Sequence, residues 1–143
     1  MHSFSFVPFT TVKNPEYTFF KVKVETTITD SIGNQSTIIK IPFDDFTDNL
    51  NKNEESKLDR IYGHMSIYSF SRKWPKEKFN HIEGNQDQRK DIYEFKNKRP
   101  PLRIYVCVDE NNKRVFILSG SNKKNQKEEI KSLFRIFNDM PLE

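Results

Sequence analysis

Residues 90–137 constrain this chain most. They hold three strand-like runs, KDIYEFK (90–96), LRIYVCV (102–108) and RVFILSG (114–120), followed by Lys123, Lys124 and a helix-patterned segment. In the second run Leu102, Ile104, Val106 and Val108 fall on one face, and Arg103, Tyr105 and Cys107 on the other. One face reads as core; the other presents a cation and a phenol. Pro100-Pro101 and residues 109–113 are short connections, which predict antiparallel neighbours. Each run carries basic residues, so the order predicts a basic cleft beside a small antiparallel sheet, suited to a polyanion.

The rest of the composition sets the bounds. At 143 residues the chain is long enough for one domain with a real core, and its thirteen phenylalanines must supply much of the burial. No run approaches the length of a membrane span, and the start lacks the basic-then-apolar pattern of a signal peptide. The single cysteine, Cys107, cannot form an internal disulfide, which suits a reducing cytoplasm. Charge is uneven. Residues 1–70 carry seven Lys/Arg against nine Asp/Glu and residues 71–143 seventeen against eleven, about −2 and +6. The basic half suits RNA or an acidic protein.

Along the chain, residues 1–16 show no clean period and are interrupted by Pro8 and Pro15, which predicts an arm packed on the domain. Residues 17–29 alternate, Gly33-Asn34 marks a turn, and residues 36–41 form a second β-branched run: a hairpin. Residues 43–50 read as a short helix with acidic residues in its first turn. Asn53 is placed to cap a longer helix carrying Leu58, Ile61, Tyr62 and Met65, which ends near Phe70 before Pro75. Residues 79–83 are extended and 84–88 a loop. Ile130, Leu133, Phe134 and Phe137 form a final helical stripe that Asn125 and Glu128 start in capping-box fashion.

Lys123 and Lys124 stand just before that helix, where free backbone N–H groups and the helix dipole favour an anion. Arg103 sits inside an apolar strand and needs a carboxylate or phosphate partner; Glu94 on the neighbouring strand is the structural candidate. Cys107 reads as inert packing. His2, His64 and His81 are scattered, with His81 a weak acid/base candidate. No Cys/His spacing suggests zinc and no paired acidic motif suggests magnesium. No phosphate-binding loop, dinucleotide fingerprint or nucleophile elbow is present. The expectation is no metal and no cofactor.

The helical pair, the segment FNHIEG (79–84), DIYEFK (91–96), LRIY (102–105), FILSG (116–120) and Lys123-Lys124, in that order, resemble the RelE/HigB superfamily of toxin ribonucleases from bacterial toxin–antitoxin systems. The resemblance covers roughly residues 43–137 and is best from Phe79 onward. It implies metal-free cleavage of mRNA, in many members on the ribosome, and a cognate antitoxin as partner, with no membrane association. The ribose 2′-OH attacks the adjacent phosphate, basic side chains stabilise the added charge, and an acid/base pair moves protons. Carried over, Arg103 is the phosphate-stabilising arginine, and Lys96, Lys123 and Lys124 are the other catalytic positions. Tyr105, Lys98, Arg99 and Asn122 are substrate-binding positions. Two departures stand out: residues 138–143 hold neither tyrosine nor histidine, so the proton donor is unassigned, and residues 1–42 exceed what a compact member needs.

The expected fold is α+β: a small, mostly antiparallel twisted sheet with an N-terminal helical hairpin and a C-terminal helix, plus an extra N-terminal β-hairpin. In this single domain, residues 1–42 are the arm and hairpin elaboration and residues 43–143 the toxin-like core. The second functional hypothesis is a non-catalytic RNA- or protein-binding module on the same scaffold.

Overall fold

The computed structural model describes residues 2–67, 79–82, 90–122, 124 and 126–142. The chain opens with β1 (His2–Pro8), whose Phe4 and Phe6 point inward while Ser3 and Ser5 face water, the alternation of a half-buried strand. The long β2 (Thr18–Thr29) and β3 (Gln35–Lys40) follow, joined by a tight turn. Asp30 closes that turn by accepting backbone N–H bonds from Ile32 at 3.0 Å and Asn34 at 2.8 Å. Gly33 there adopts φ +89°, a region that only a residue lacking Cβ enters without strain.

Two helices come next. In α1 (Pro42–Asp48), proline occupies the first turn and Asp44 and Asp45 meet the dipole. Lys21 on β2 reaches Asp44 at 2.8 Å. In α2 (Lys52–Ser66), the cap is Asn51 rather than the expected Asn53. Its side chain accepts the Glu54 N–H at 2.8 Å, while the Glu54 carboxylate accepts the Asn51 N–H at 3.1 Å. Asn51 precedes a Glu by three, as this reciprocal box requires, whereas the residue three after Asn53 is Ser56. The remaining elements are β4 (Phe79–Ile82), β5 (Ile92–Asn97), β6 (Leu102–Asp109), β7 (Arg114–Asn122) and α3 (Gln126–Phe137). The expected helix end near Phe70, the break at Pro75 and the loop at 84–88 lie outside the described residues.

Among the described residues the seven strands form one sheet in the order β1-β2-β7-β6-β5-β4, with β3 paired to the distal half of β2. Neighbours are antiparallel except β2 and β7, which run parallel from Thr18↔Arg114 to Lys21↔Ile117. On one face α1 and α2 bury Phe43, Ile61 and Met65 against Phe19, Phe95, Ile104 and Ile117. On the other, α3 lays Leu133, Phe134 and Phe137 on Val22, Tyr105, Cys107 and Phe116. The middle strands are therefore buried on both sides, which is why β7 reads as a continuous apolar run. None of the helices described is long and apolar enough to cross a membrane.

The expected architecture needs correction. The fold is mixed α/β: three strands precede the helices, so the helical pair sits mid-chain and is not an N-terminal hairpin. Residues 2–8, expected as part of an arm, form a strand, and β2 enters the main sheet through its parallel pairing with β7. Burial of Tyr105 and Cys107 beneath α3 likewise replaces the expected solvent-facing side of β6.

One close approach makes a stability prediction. A Cβ built on Gly120 would lie 2.3 to 2.7 Å from ring atoms of Phe46 on α1. Gly120→Ala is expected to cost about 1–3 kcal/mol in urea unfolding, the usual range for overpacking. Phe46→Leu in the same chain should return part of that loss. An alanine variant as stable as the parent would rule out the close contact.

Candidate functional site

The polar residues of this sheet gather at one end, and the strand register explains why. Lys96 on β5 lies opposite Arg103 on β6, which lies opposite Ser121 on β7. The next row inward is Glu94, Tyr105 and Ser119, with Asn80 of β4 opposite Glu94. Glu94 is only 4 % exposed, so its carboxylate needs partners. Arg103 Nη1 donates to Glu94 Oε1 at 2.8 Å, and Lys96 Nζ stands 3.7 Å from the same oxygen. Like charges directly across a strand pair repel; here the shared carboxylate offsets that repulsion. Two cations around one anion still leave a positive charge. Both cationic side chains keep about a fifth of their surface in water, 21 % for Lys96 and 23 % for Arg103.

Further cations stand at the rim. Lys98 and Arg99 are exposed on the β5–β6 turn, which Asn97 Nδ2 ties down by donating to the Pro100 carbonyl at 2.8 Å. Asn122 ends β7, and its Oδ1 accepts the backbone N–H of exposed Lys124 at 3.0 Å. Because Asn97, Leu102 and Asn122 share one register row, the turn and Lys124 lie at the same end of the sheet as Lys96 and Arg103. The structure thus sets Lys96, Lys98, Arg99, Arg103, Asn122 and Lys124 at one end of the sheet, Lys96 and Arg103 on its α3 face and Asn122 in the row of Leu102 on its α2 face. Lys123 and Asn125 lie outside the described residues. The start of α3 carries Glu128 and Glu129, and Glu129 accepts a hydrogen bond from Ser119 Oγ. The helix dipole there already meets carboxylates of its own, which weakens the expected anion site at that terminus.

Tyr105 has no exposed surface, and its hydroxyl lies 2.6 Å from Ser121 Oγ. Burial pushes its phenol up to about 12, and the ring cannot stack on a base from where it sits. Its place is in the core beneath α3, beside the row rather than on its surface. Cys107 is buried too, and desolvation pushes its thiol up to about 12, so it stays protonated and unreactive. His81 pairs with Asp91 at 3.3 Å and lies edge-on to Tyr93 across the β4–β5 ladder. Strand alternation points it away from Glu94, toward the opposite side of the sheet, so it does not join the Arg103 row. Ser121 in the row and Asn80 and Ser119 beside it gave no sign of this in their own segments; the cross-strand register identifies them, and Glu129 of α3 joins through its hydrogen bond from Ser119. Among the described residues no group of three His, Cys, Asp or Glu side chains could hold a metal ion.

Comparisons with protein families, with curated proteins and with solved structures return no match to this chain.

Proposed function

We propose that this chain is an RNA-cleaving toxin whose reaction centre is the Glu94–Lys96–Arg103 row, neutralised by an antitoxin protein that covers that row. The observation that carries the reading is the pair of largely shielded cations converging on one buried carboxylate, with net positive charge left over. A phosphodiester seated there supplies the missing negative charge. Arg103 presents planar donors suited to two phosphate oxygens, and those contacts strengthen as the phosphorus gains a fifth oxygen. Glu94 can accept the proton of an attacking 2′-hydroxyl, and Lys96 can give one to the departing 5′-oxygen. The P–O5′ bond breaks as the 2′-O–P bond forms, which yields a 2′,3′-cyclic phosphate. The exposed cations at the rim extend the backbone track to neighbouring nucleotides.

The test is cleavage of a ribosome-free single-stranded RNA with and without EDTA. Cleavage that survives chelation and leaves 2′,3′-cyclic or 3′-phosphate ends is expected. Products ending in 3′-hydroxyl, or activity lost to EDTA and restored by magnesium, would assign a metal nuclease instead. Salt-sensitive binding without any cleavage would assign a non-catalytic RNA-binding module.

A further inference from the structure

A groove of about 260 Å³ opens at the same end of the sheet, on its α2 side, lined by Asn51, Glu54, Pro100, Pro101, Asn122 and Lys124. We infer that this groove is a nucleobase pocket selective for guanine in single-stranded RNA, an inference that rests on the RNA reading above.

Three elements build the groove. The β5–β6 turn supplies Pro100 and Pro101, whose rings offer an apolar surface to the flat face of a base. Proline has no side-chain rotamer freedom to lose on binding, and Asn97 already fixes the turn. The start of α2 supplies Glu54, whose Oε1 is held by the Asn51 N–H in the capping box. Its carboxylate is therefore positioned before any ligand arrives, and Oε2 has no hydrogen-bond partner among the described residues. The end of β7 supplies Lys124, exposed at the groove and close to where a flanking phosphate would pass. Asn122 belongs to the register row next to Ser121 and Arg103, so the groove and the cationic row lie at the same end of the sheet, on its two opposite faces. A single RNA strand would reach both by passing over that end.

The carboxylate decides which base fits. An ionised carboxylate only accepts hydrogen bonds. On its Watson–Crick edge guanine presents two adjacent donors, N1–H and the N2 amine, which match two carboxylate oxygens. Adenine offers one donor beside the N1 lone pair, cytosine one donor beside two acceptors, and uracil one donor between two acceptors; each of these sets an acceptor against the anion. A well-made bidentate contact to a base edge discriminates by about 1–3 kcal/mol, or roughly 5- to 150-fold in affinity.

The experiment uses the full chain and fluorescein-labelled 2′-O-methyl pentamers, which the 2′-oxygen cannot cleave: uridine throughout, with guanine, adenine, hypoxanthine or uracil at the central position. Anisotropy titration is expected to show the guanine pentamer binding about 5- to 150-fold tighter than the adenine one. Hypoxanthine, which keeps N1–H and lacks the amine, should fall between them. Glu54→Gln keeps the cap, since glutamine also serves at that position, and should bring guanine down to the adenine level without changing the melting temperature. Equal binding of all four by the unmodified protein overturns the guanine pocket and leaves the RNA reading standing. A guanine preference untouched by Glu54→Gln also overturns it. Failure to bind any pentamer overturns both readings.

Discussion

Replacing Arg103 with alanine is expected to lower cleavage of free RNA by about 10²–10³-fold, the loss typical when one donor to a developing oxyanion is removed. The same change acts on the fold. Glu94 would keep its buried position with only Lys96, 3.7 Å away, as cationic partner. Leaving a buried acceptor short of a partner costs about 1–3 kcal/mol, and the partly exposed lysine can move closer to recover some of it. Loss of activity alone would therefore be ambiguous. The separating variant is Glu94→Leu with Arg103→Met, which replaces both charged side chains by apolar ones and leaves no buried polar group of this pair unpaired. It should melt closer to the parent than Arg103→Ala does and still fail to cleave. Arg103→Lys should retain more binding than cleavage, because it keeps charge and loses the planar fork. If Arg103→Ala cleaves like the parent, or the double variant regains activity as it regains stability, Arg103 is structural and the proposed centre is wrong.

The two halves of this molecule were legible in the sequence to different degrees, and the reason is contact range. The β5–β6–β7 ladder follows from period-two alternation and short connections, so its antiparallel order and the meeting of Arg103 with Glu94 could be read from neighbouring residues. The parallel seam between β2 and β7 joins strands far apart in the chain, and no local pattern encodes it. A partial signal did exist: β2 buries Phe19 on one face and Val22 and Val24 on the other, as a strand inside a sheet must. In β1 the alternation of Phe4 and Phe6 with Ser3 and Ser5 was visible beneath the disruption at Pro8.

The site shows the same division. Assigning Tyr105 to an open face treated β6 as having one buried side. The stripe of Ile130, Leu133, Phe134 and Phe137 had to cover something, however, and the Tyr105–Cys107 side was the apolar surface left for it. Counting the faces that each helical stripe must bury would have placed Tyr105 in the core. Nothing comparable identifies the groove beside Pro100. Its residues come from three separated segments, and Glu54 shows its local role, the helix cap, more plainly than any part in a pocket.

Phe116→Ala is expected to be the most damaging single change to stability, because its ring sits where the seam between β2 and β7 meets the α3 side of the core. It has no exposed surface and opposes Phe20 in the parallel register. Its centroid lies 4.5 Å from that of Phe6 on β1 and 5.7 Å from that of Phe20, and the Arg114 guanidinium stands 5.2 Å from the ring. One side chain thus joins the first two strands to the central ladder. Truncating a buried phenylalanine to alanine costs about 3–5 kcal/mol. For a chain of this length that corresponds to a fall in melting temperature of roughly 6–20 °C. Phe116→Leu should cost less, since it keeps more apolar volume in the same place. Ile32→Ala, at a residue 80 % exposed in the β2–β3 turn, serves as the surface reference and should stay within about 0.5 kcal/mol. Amide exchange gives the sharper reading: β1 and the first half of β2 should lose protection in Phe116→Ala before β5 and β6 do, because their packing passes through this ring. Uniform loss along all strands would mean that the sheet unfolds as one unit. Stability matching Ile32→Ala would mean that the ring does not occupy the seam.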